Sequence, residues 1–306
     1  MNNVLTNFSP LRLTTIFRLL SAPFGRKTRQ SNNLNNSFSQ QKHQSSQGAI
    51  GDVFLVGSGP GDAELLTLKA YRLMQQVDVV MYDWLVSPEI VAMIPNHVEK
   101  VFVGKKCGRH SMTQAQICEL MSTRALRGQN VLRLKGGDPS VFGRAAEEID
   151  HLQKHKINFA IVPGVTAASG CAAWSGIPLT HRECAHSVRF ITAHFKSDDI
   201  QSDWQNYAES NDTLVFYMGL NKVNSIAENL IKHGKNAKTP MAIIDQGTTA
   251  EQKTYTSTLA DIEQVLTSEN IIGPALIVVG DAINYRANVD TKLLQPQLNE
   301  SNTSAA

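Results

Sequence analysis

A repeated change of hydrophobic period dominates this sequence. From Asp52 to Val162, short apolar runs of strand length alternate with stretches whose apolar residues recur at helical spacing. Asp52–Val56 (DVFLV) reads as a buried strand, followed by a glycine-rich turn and a helix from Ala63 to Gln76. The strand Val77–Tyr82 comes next, then a short strand at Val101–Val103, a helix over Thr113–Arg127 and the strand Val131–Leu134. A helix over Arg144–Lys154 and the strand Phe159–Val162 complete the first set. Strands separated by helices pair through crossovers, which predicts a largely parallel sheet covered by helices. After Pro163-Gly164 the pattern restarts with a helix at 166–174, strands Val188–Thr192 and Thr213–Tyr217, and a helix Val223–His233. Strands Met241–Ile244 and Lys253–Thr258, a helix at 259–267 and a strand Ala275–Val279 follow. The expected fold class is α/β, with an N-terminal α/β domain over 51–162 and a C-terminal one over 163–286.

The two ends differ from this body. Residues 1–50 hold six bases and no acid, are rich in Ser, Asn and Gln, and keep no hydrophobic pattern beyond about position 24. They read as a low-complexity, disordered extension of a cytoplasmic protein, the alternative being an organelle-targeting segment. Residues 287–306 read as a polar tail. The uncharged stretch Phe159–Leu179 is long enough to span a membrane, but Pro163, Gly164, Gly170, Gly176 and Pro178 break it into loops and a short helix. No membrane partner is expected. The four cysteines form no C-x-x-C pair and are too few for a disulfide framework, and neither His110 nor His181 has metal-ligand spacing with them, so no metal is expected.

Net charge is +2, yet positions 100–145 carry nine bases against two acids. Such a surplus points either to an anionic ligand or to a solvated basic face. The loop Gly57-Ser-Gly-Pro-Gly61 follows a strand and precedes a helix, as a dinucleotide-binding loop does. Its glycine spacing is G-x-G-x-G rather than G-x-G-x-x-G, and Pro60 lacks the N–H that a pyrophosphate would need. An NAD-dependent oxidoreductase is therefore disfavoured.

Four groups of segments are far more specific: VGSGPGDAELLTL at Val56–Leu68; YDWLVSP at Tyr82–Pro88 with VGKKCGRH at Val103–His110; RLKGGDPSVFGR at Arg133–Arg144; and PGVTAA at Pro163–Ala168 with GIPLTHR at Gly176–Arg182. With FYMG at Phe216–Gly219, DQGT at Asp245–Thr248 and GPALIVVG at Gly273–Gly280, they closely resemble the tetrapyrrole methylase family, and within it the uroporphyrinogen-III C-methyltransferases. The resemblance runs from about Asp52 to Ile283. It implies two α/β domains with the active site in the cleft between them, a homodimer, and S-adenosylmethionine as methyl donor. It implies two methyl transfers to uroporphyrinogen III, giving precorrin-2 for sirohaem or cobalamin synthesis. Bifunctional relatives carry a further domain, and with about fifty low-complexity residues before the first strand here, the methyltransferase alone is expected.

By position in those motifs, the resemblance assigns Pro60, Gly136, Gly137, Asp138, Val141, Thr166, Ala167, Met218 and Gly247 to the cofactor cleft. It assigns Asp83 as proton acceptor and Lys105 as proton donor. Read singly, these residues have other uses: Pro60 and the glycines shape turns, Met218 fills cores, and Thr166 caps a helix. Asp83 equally reads as a strand-end acid in a salt bridge, and Lys105 as one more base on the cleft wall. The substrate's carboxylates account for the basic segment, whose Lys105, Lys106, Arg109, Arg133 and Arg144, with Arg182, are expected to line the mouth. Relatives that methylate a later corrin precursor, or ribosomal RNA, are the alternatives. YDWLVSP and VGKKCGRH fit the first poorly, and no aromatic interleaving supports nucleic acid as a partner.

Overall fold

The computed structural model describes residues 49–104, 112–194 and 203–294, all within one compact unit. The first sheet contains β1 (Val53–Gly57), β2 (Val79–Tyr82), β3 (Glu99–Phe102), β4 (Val131–Lys135) and β5 (Phe159–Val162), in the order β3-β2-β4-β1-β5. Every pairing in it is parallel. Alternation along the strands sends Val53, Leu55, Val79, Met81 and Val131 to one face, under α3 (Gln114–Leu126) and α4 (Ala145–Lys154). Val56, Val80, Leu132 and Leu134 go to the other, under α1 (Leu68–Met74) and α2 (Pro88–Ala92). Runs without a polar face are what a sheet buried on both sides requires.

The second sheet has the order β6-β7-β10-β8-β9, from β6 (Val188–Thr192), β7 (Thr213–Tyr217), β8 (Pro240–Asp245), β9 (Lys253–Thr258) and β10 (Ala275–Val279). Here the expectation of parallel pairing holds only for β6 and β7; β10 is antiparallel to both neighbours, and β8 to β9. The short link 246–252 carries no helix, so the chain reverses and β9 returns beside β8. α5 (Ala167–Trp174) packs on one face through Ala168 and Cys171, against Val215, Ala242 and Ile244. On the other face lie α6 (Asp203–Glu209), α7 (Val223–Lys232) and α8 (Ile262–Ser268), through Trp204, Ile226, Leu230 and Ile262.

Two local differences have plain causes. The helix expected over Ala63–Gln76 is split into a 3₁₀ turn at Ala63–Leu65 and α1, because Leu66 and Thr67 are extended and the Thr67 hydroxyl accepts from the Ala70 amide at 3.1 Å as an N-cap. The unexpected α2 begins with Ser87 as cap and Pro88 in its first turn, a start signal followed by too few residues for a helical period to emerge. Among the described residues no helix is long and apolar enough to cross a membrane.

Candidate active site

Because the first sheet is parallel, the carboxyl ends of β1, β2, β4 and β5 share one edge, where open α/β sheets bind ligands. The ends of β7 and β8 and the start of β10 meet that edge. Between the sheets lies a cleft of about 820 Å³. Pro60, Asp83, Gly136, Gly137, Asp138, Val141, Thr166, Ala167, Met218 and Gly247 all line it, so ten residues from six sequence segments converge on one cavity. Lys105 lies outside the described residues, as do Lys106 and Arg109.

The loops of the first wall are tied to each other by backbone. Gly59 N–H donates to the Gly137 carbonyl at 3.2 Å and Gly137 N–H to the Gly59 carbonyl at 2.7 Å. Gly137 has φ of 66°, a conformation glycine adopts without strain. Gly136 serves a different purpose: a Cβ there would lie 2.5 Å from that of Leu85, so its bareness admits a protein side chain rather than a ligand. Pro60 packs on α5, where a Cβ on Gly170 would reach 2.5 Å from the proline ring. The Asp138 carboxylate is turned into the framework, accepting from Gly164 N–H at 3.0 Å and Ser140 N–H at 2.8 Å. It thereby ties the β4 loop to the link after β5.

On the second wall, alternation from Val215 aims Tyr217 at α5. Its hydroxyl hydrogen-bonds Thr166 Oγ1 at 2.7 Å and accepts from the Ala168 amide at 3.1 Å. Thr166 stands at the N-cap position but makes no side-chain cap bond; Tyr217 supplies the acceptor instead. Burial pushes the Tyr217 phenol up, against the Thr166 hydrogen bond, and so keeps it protonated. Met218 is no core filler: it is 58% exposed, with φ of 57°. Gly247 sits against Cys171, whose sulfur would be 2.1 Å from an added Cβ.

The floor is ionic. Asp83 Oδ2 accepts from Arg133 Nη2 at 3.0 Å and its Oδ1 from the Leu85 amide at 3.1 Å. Arg133 Nε reaches Glu148 at 3.4 Å, and Lys135 Nζ bonds both Glu148 oxygens, at 2.9 and 3.0 Å. Gln114 Nε2 adds a bond to the same carboxylate at 3.1 Å. Burial, then the neighbouring Arg133 cation, pull the Lys135 ammonium below the usual lysine range, against the pull of Glu148. Removing one member of such a buried set leaves an uncompensated charge and typically costs about 3–5 kcal/mol.

Of the bases expected at the mouth, Arg133 and Arg144 line the cleft, while Lys105, Lys106 and Arg109 lie outside the described residues. Arg133 is 4% exposed and engaged by two acids, not a free cation at an entrance. Arg144 pairs with Glu147 at 2.7 Å, Arg124 with Glu99 at 2.7 Å, and Arg182 does not line the cleft. Much of the surplus of bases is thus answered by acids lying outside the 100–145 window. Tyr217, Lys135 and Glu148 join the site without having been expected from the sequence. Arg133 and Lys135 two apart in the apolar strand VLRLK were the available signal, since paired cations facing a core demand a buried acid. Among the described residues one set of metal-binding type is gathered, Glu119, His151 and His155, with ligand atoms within 4.8 Å of one another; none of the three lines the cleft.

A family model for tetrapyrrole (corrin/porphyrin) methylases matches residues 52–263. The chain is similar to siroheme synthase of Pseudomonas aeruginosa, 50% identical over 238 residues, a match covering 78% of this chain and 51% of that protein. The chain therefore spans about half the length of the curated relatives it matches. Among solved structures it is similar to uroporphyrin III C-methyl transferase of Thermus thermophilus, 37% identical with a TM-score of 0.66, over 76% of this chain and 99% of that one. A structure of the same enzyme complexed with S-adenyl homocysteine is 36% identical, also with a TM-score of 0.66, over 78% of this chain and 96% of that one.

Proposed function

The chain belongs to the tetrapyrrole methylase family, and on that footing we propose that it transfers two methyl groups from S-adenosylmethionine to carbon atoms of uroporphyrinogen III, giving precorrin-2 on the way to sirohaem or cobalamin. The observation that carries the reading is the convergence of Pro60, Gly137, Thr166, Met218 and Gly247, from both sheets, on the cleft that also holds Asp83. A relative 36% identical to this chain has been solved with S-adenyl homocysteine.

The cleft suits such a cofactor. At about 820 Å³ it falls in the range of small-molecule sites, and main-chain groups of the Gly59 and Gly137 loops face it. Ala167 is the first residue of α5, where the backbone N–H has no intrahelical partner and is free for a ligand acceptor. Val141 and the exposed Met218 supply apolar wall.

S-adenosylmethionine brings a methyl group already activated by its sulfonium. The protein's task is to hold a pyrrole carbon in line with it, and orientation of this kind can be worth roughly 7–11 kcal/mol. The alkylated ring must then lose a proton. Asp83, at the end of β2 and facing the cleft with one donor already on each oxygen, is placed to take it, a role typically worth 10²–10⁴-fold. Lys105 is assigned as the proton donor on its motif alone. We read 51–162 and 163–286 as the two domains, the assembly as a homodimer and the location as cytoplasmic, with no nucleic-acid or membrane partner.

Incubating the protein with S-adenosylmethionine and uroporphyrinogen III under anaerobic conditions tests the reading. The expected product absorbs as precorrin-2 and is heavier by two CH₂ units, each methyl group gained being offset by one hydrogen lost. Methylation of a later corrin precursor with none of uroporphyrinogen III would overturn the substrate assignment.

A further inference from the structure

We infer that Arg133 positions Asp83 for proton removal and that Glu148 acts through Arg133, an inference that rests on the methyltransferase reading above. Alternation along β4 sends Val131, Arg133 and Lys135 to the face under α4, and the register that sets Met81 beside Arg133 brings Asp83, just beyond β2, to the same row. Two cations in an apolar layer cost free energy unless acids answer them, and replacing a buried ion set by apolar residues is often neutral or stabilising. Stability alone therefore gives β4 little reason to carry Arg133 and Lys135. Their geometry gives one.

The Arg133 fork is used in every direction. Nε reaches Glu148 at 3.4 Å, and Nη1 donates to the Leu134 carbonyl at 2.7 Å, with the Met81 carbonyl at 3.5 Å. Those partners fix the guanidinium plane and leave Nη2 for Asp83 Oδ2, at 3.0 Å. With Leu85 N–H on Oδ1, the Asp83 carboxylate is held from two sides while 20% of its side chain stays open to solvent. Glu148, with no exposed surface, anchors Arg133 on one flank and holds Lys135 by both oxygens on the other. Asp83, Arg133, Glu148 and Lys135 thus form a row of alternating charge whose sum is zero. Lysine in place of Arg133 would keep the charge but lose the planar fork that spans Glu148, two carbonyls and Asp83.

A double-mutant cycle separates positioning from mere structure. Single-turnover methylation of uroporphyrinogen III at saturating S-adenosylmethionine would be measured for Arg133→Lys in the wild-type and Asp83→Asn backgrounds, with S-adenosylhomocysteine binding followed by calorimetry. Misplacing a reactive group by about 1 Å can cost 10²-fold, so a loss of about that size is expected in the wild-type background. Cofactor affinity should stay unchanged, and no further loss should appear in the Asp83→Asn background. If Arg133→Lys does not fold, Glu148→Gln with Lys135→Met keeps the charge sum, loosens the Nε anchor, and should show a smaller loss that is again silent beside Asp83→Asn. Unchanged rates, or losses that multiply with that of Asp83→Asn, would overturn the inference while leaving the methyltransferase reading intact. Wild-type protein that binds the cofactor yet leaves uroporphyrinogen III unmethylated would overturn the parent reading and this one together.

Discussion

Replacing Gly247 by alanine puts a methyl group where Cys171 already stands. The new Cβ would lie 2.1 Å from Cys171 Sγ and 3.1 Å from its Cβ, against an ordinary contact of about 3.5–4.0 Å. Neither side yields easily. Cys171 is buried on α5 among Val215, Ala242 and Ile244, and Gly247 is flanked by Gln246 and Thr248 at φ of 49° and 63°. An overlap of about 1.5 Å belongs at the upper end of overpacking costs, about 3 kcal/mol, which lowers the melting temperature by roughly 6–12 °C in a body of this size. Cys171→Ala alone removes one buried atom and should cost about 1 kcal/mol. If the sites were independent the double variant would lose about 4 kcal/mol, but removing Sγ removes the worst overlap, so about 2 kcal/mol of coupling is expected. Denaturant titration of the four proteins measures it, and S-adenosylhomocysteine titration should show weaker binding in Gly247→Ala with partial recovery in the double variant. A double variant as unstable as the sum of the singles would refute the reasoning.

Asp83→Asn keeps size and one acceptor but takes no proton, so single-turnover methylation should fall roughly 10²-fold or more with cofactor affinity unchanged; weakened cofactor binding at an undiminished rate would sink the base assignment. Tyr217→Phe removes the hydroxyl that serves Thr166 and the Ala168 amide, and should cost about 1–3 kcal/mol of stability while weakening S-adenosylhomocysteine binding at the start of α5. A calorimetric profile matching wild type would count against that role. Hydrogen bonds from Ser187 and Ser210, then the Arg189 pair, hold the Asp212 carboxyl down to about 2 from an ordinary 3.8. A depressed folded value means stability present above 3.8 and lost as pH falls toward 2, so Asp212→Asn should be destabilised at pH 7 and converge on wild type across that window. A gap in urea midpoints that stays constant with pH would contradict it.

The strands Phe159–Val162, Val188–Thr192, Thr213–Tyr217, Lys253–Thr258 and Ala275–Val279 stand where periodicity placed them, because each run starts just after a polar residue or a proline. Pairing direction was not legible in the second sheet. β10 is apolar on both faces, and nothing in ALIVV distinguishes a strand inserted antiparallel between β7 and β8 from one added in parallel. The cleft residues were legible as a set because they lie in motifs at strand ends, but their individual duties were not. Gly136 faces Leu85 and Asp138 binds Gly164, contacts between segments that no local spacing encodes. Tyr217 escaped for a related reason: capping α5 from a strand of the sheet it packs on depends on register alone.

The backbone around the cleft is held in conformations its residues do not favour. Phe142, Arg144 and Met218 line the cleft with φ of 52°, 56° and 57°, and Gln246 and Thr248 bracket Gly247 at 49° and 63°; among the described non-glycine residues only Lys156 shares this region elsewhere. Such positions cost on the order of 1–3 kcal/mol each and persist where surrounding contacts over-determine them. Those contacts are present: Gln246 N–H donates to the Pro274 carbonyl at 3.0 Å, Thr248 N–H to Gln252 at 2.6 Å, and Thr248 Oγ1 accepts from the Asp62 amide at 3.1 Å. The investment matches the chemistry. When the donor's methyl group is already activated, a proton acceptor worth 10²–10⁴-fold supplies about 3–5 kcal/mol, whereas orientation supplies roughly 7–11. Five such positions at that cost come to about 5–15 kcal/mol, comparable with the second figure, whereas one positioned carboxylate suffices for the first.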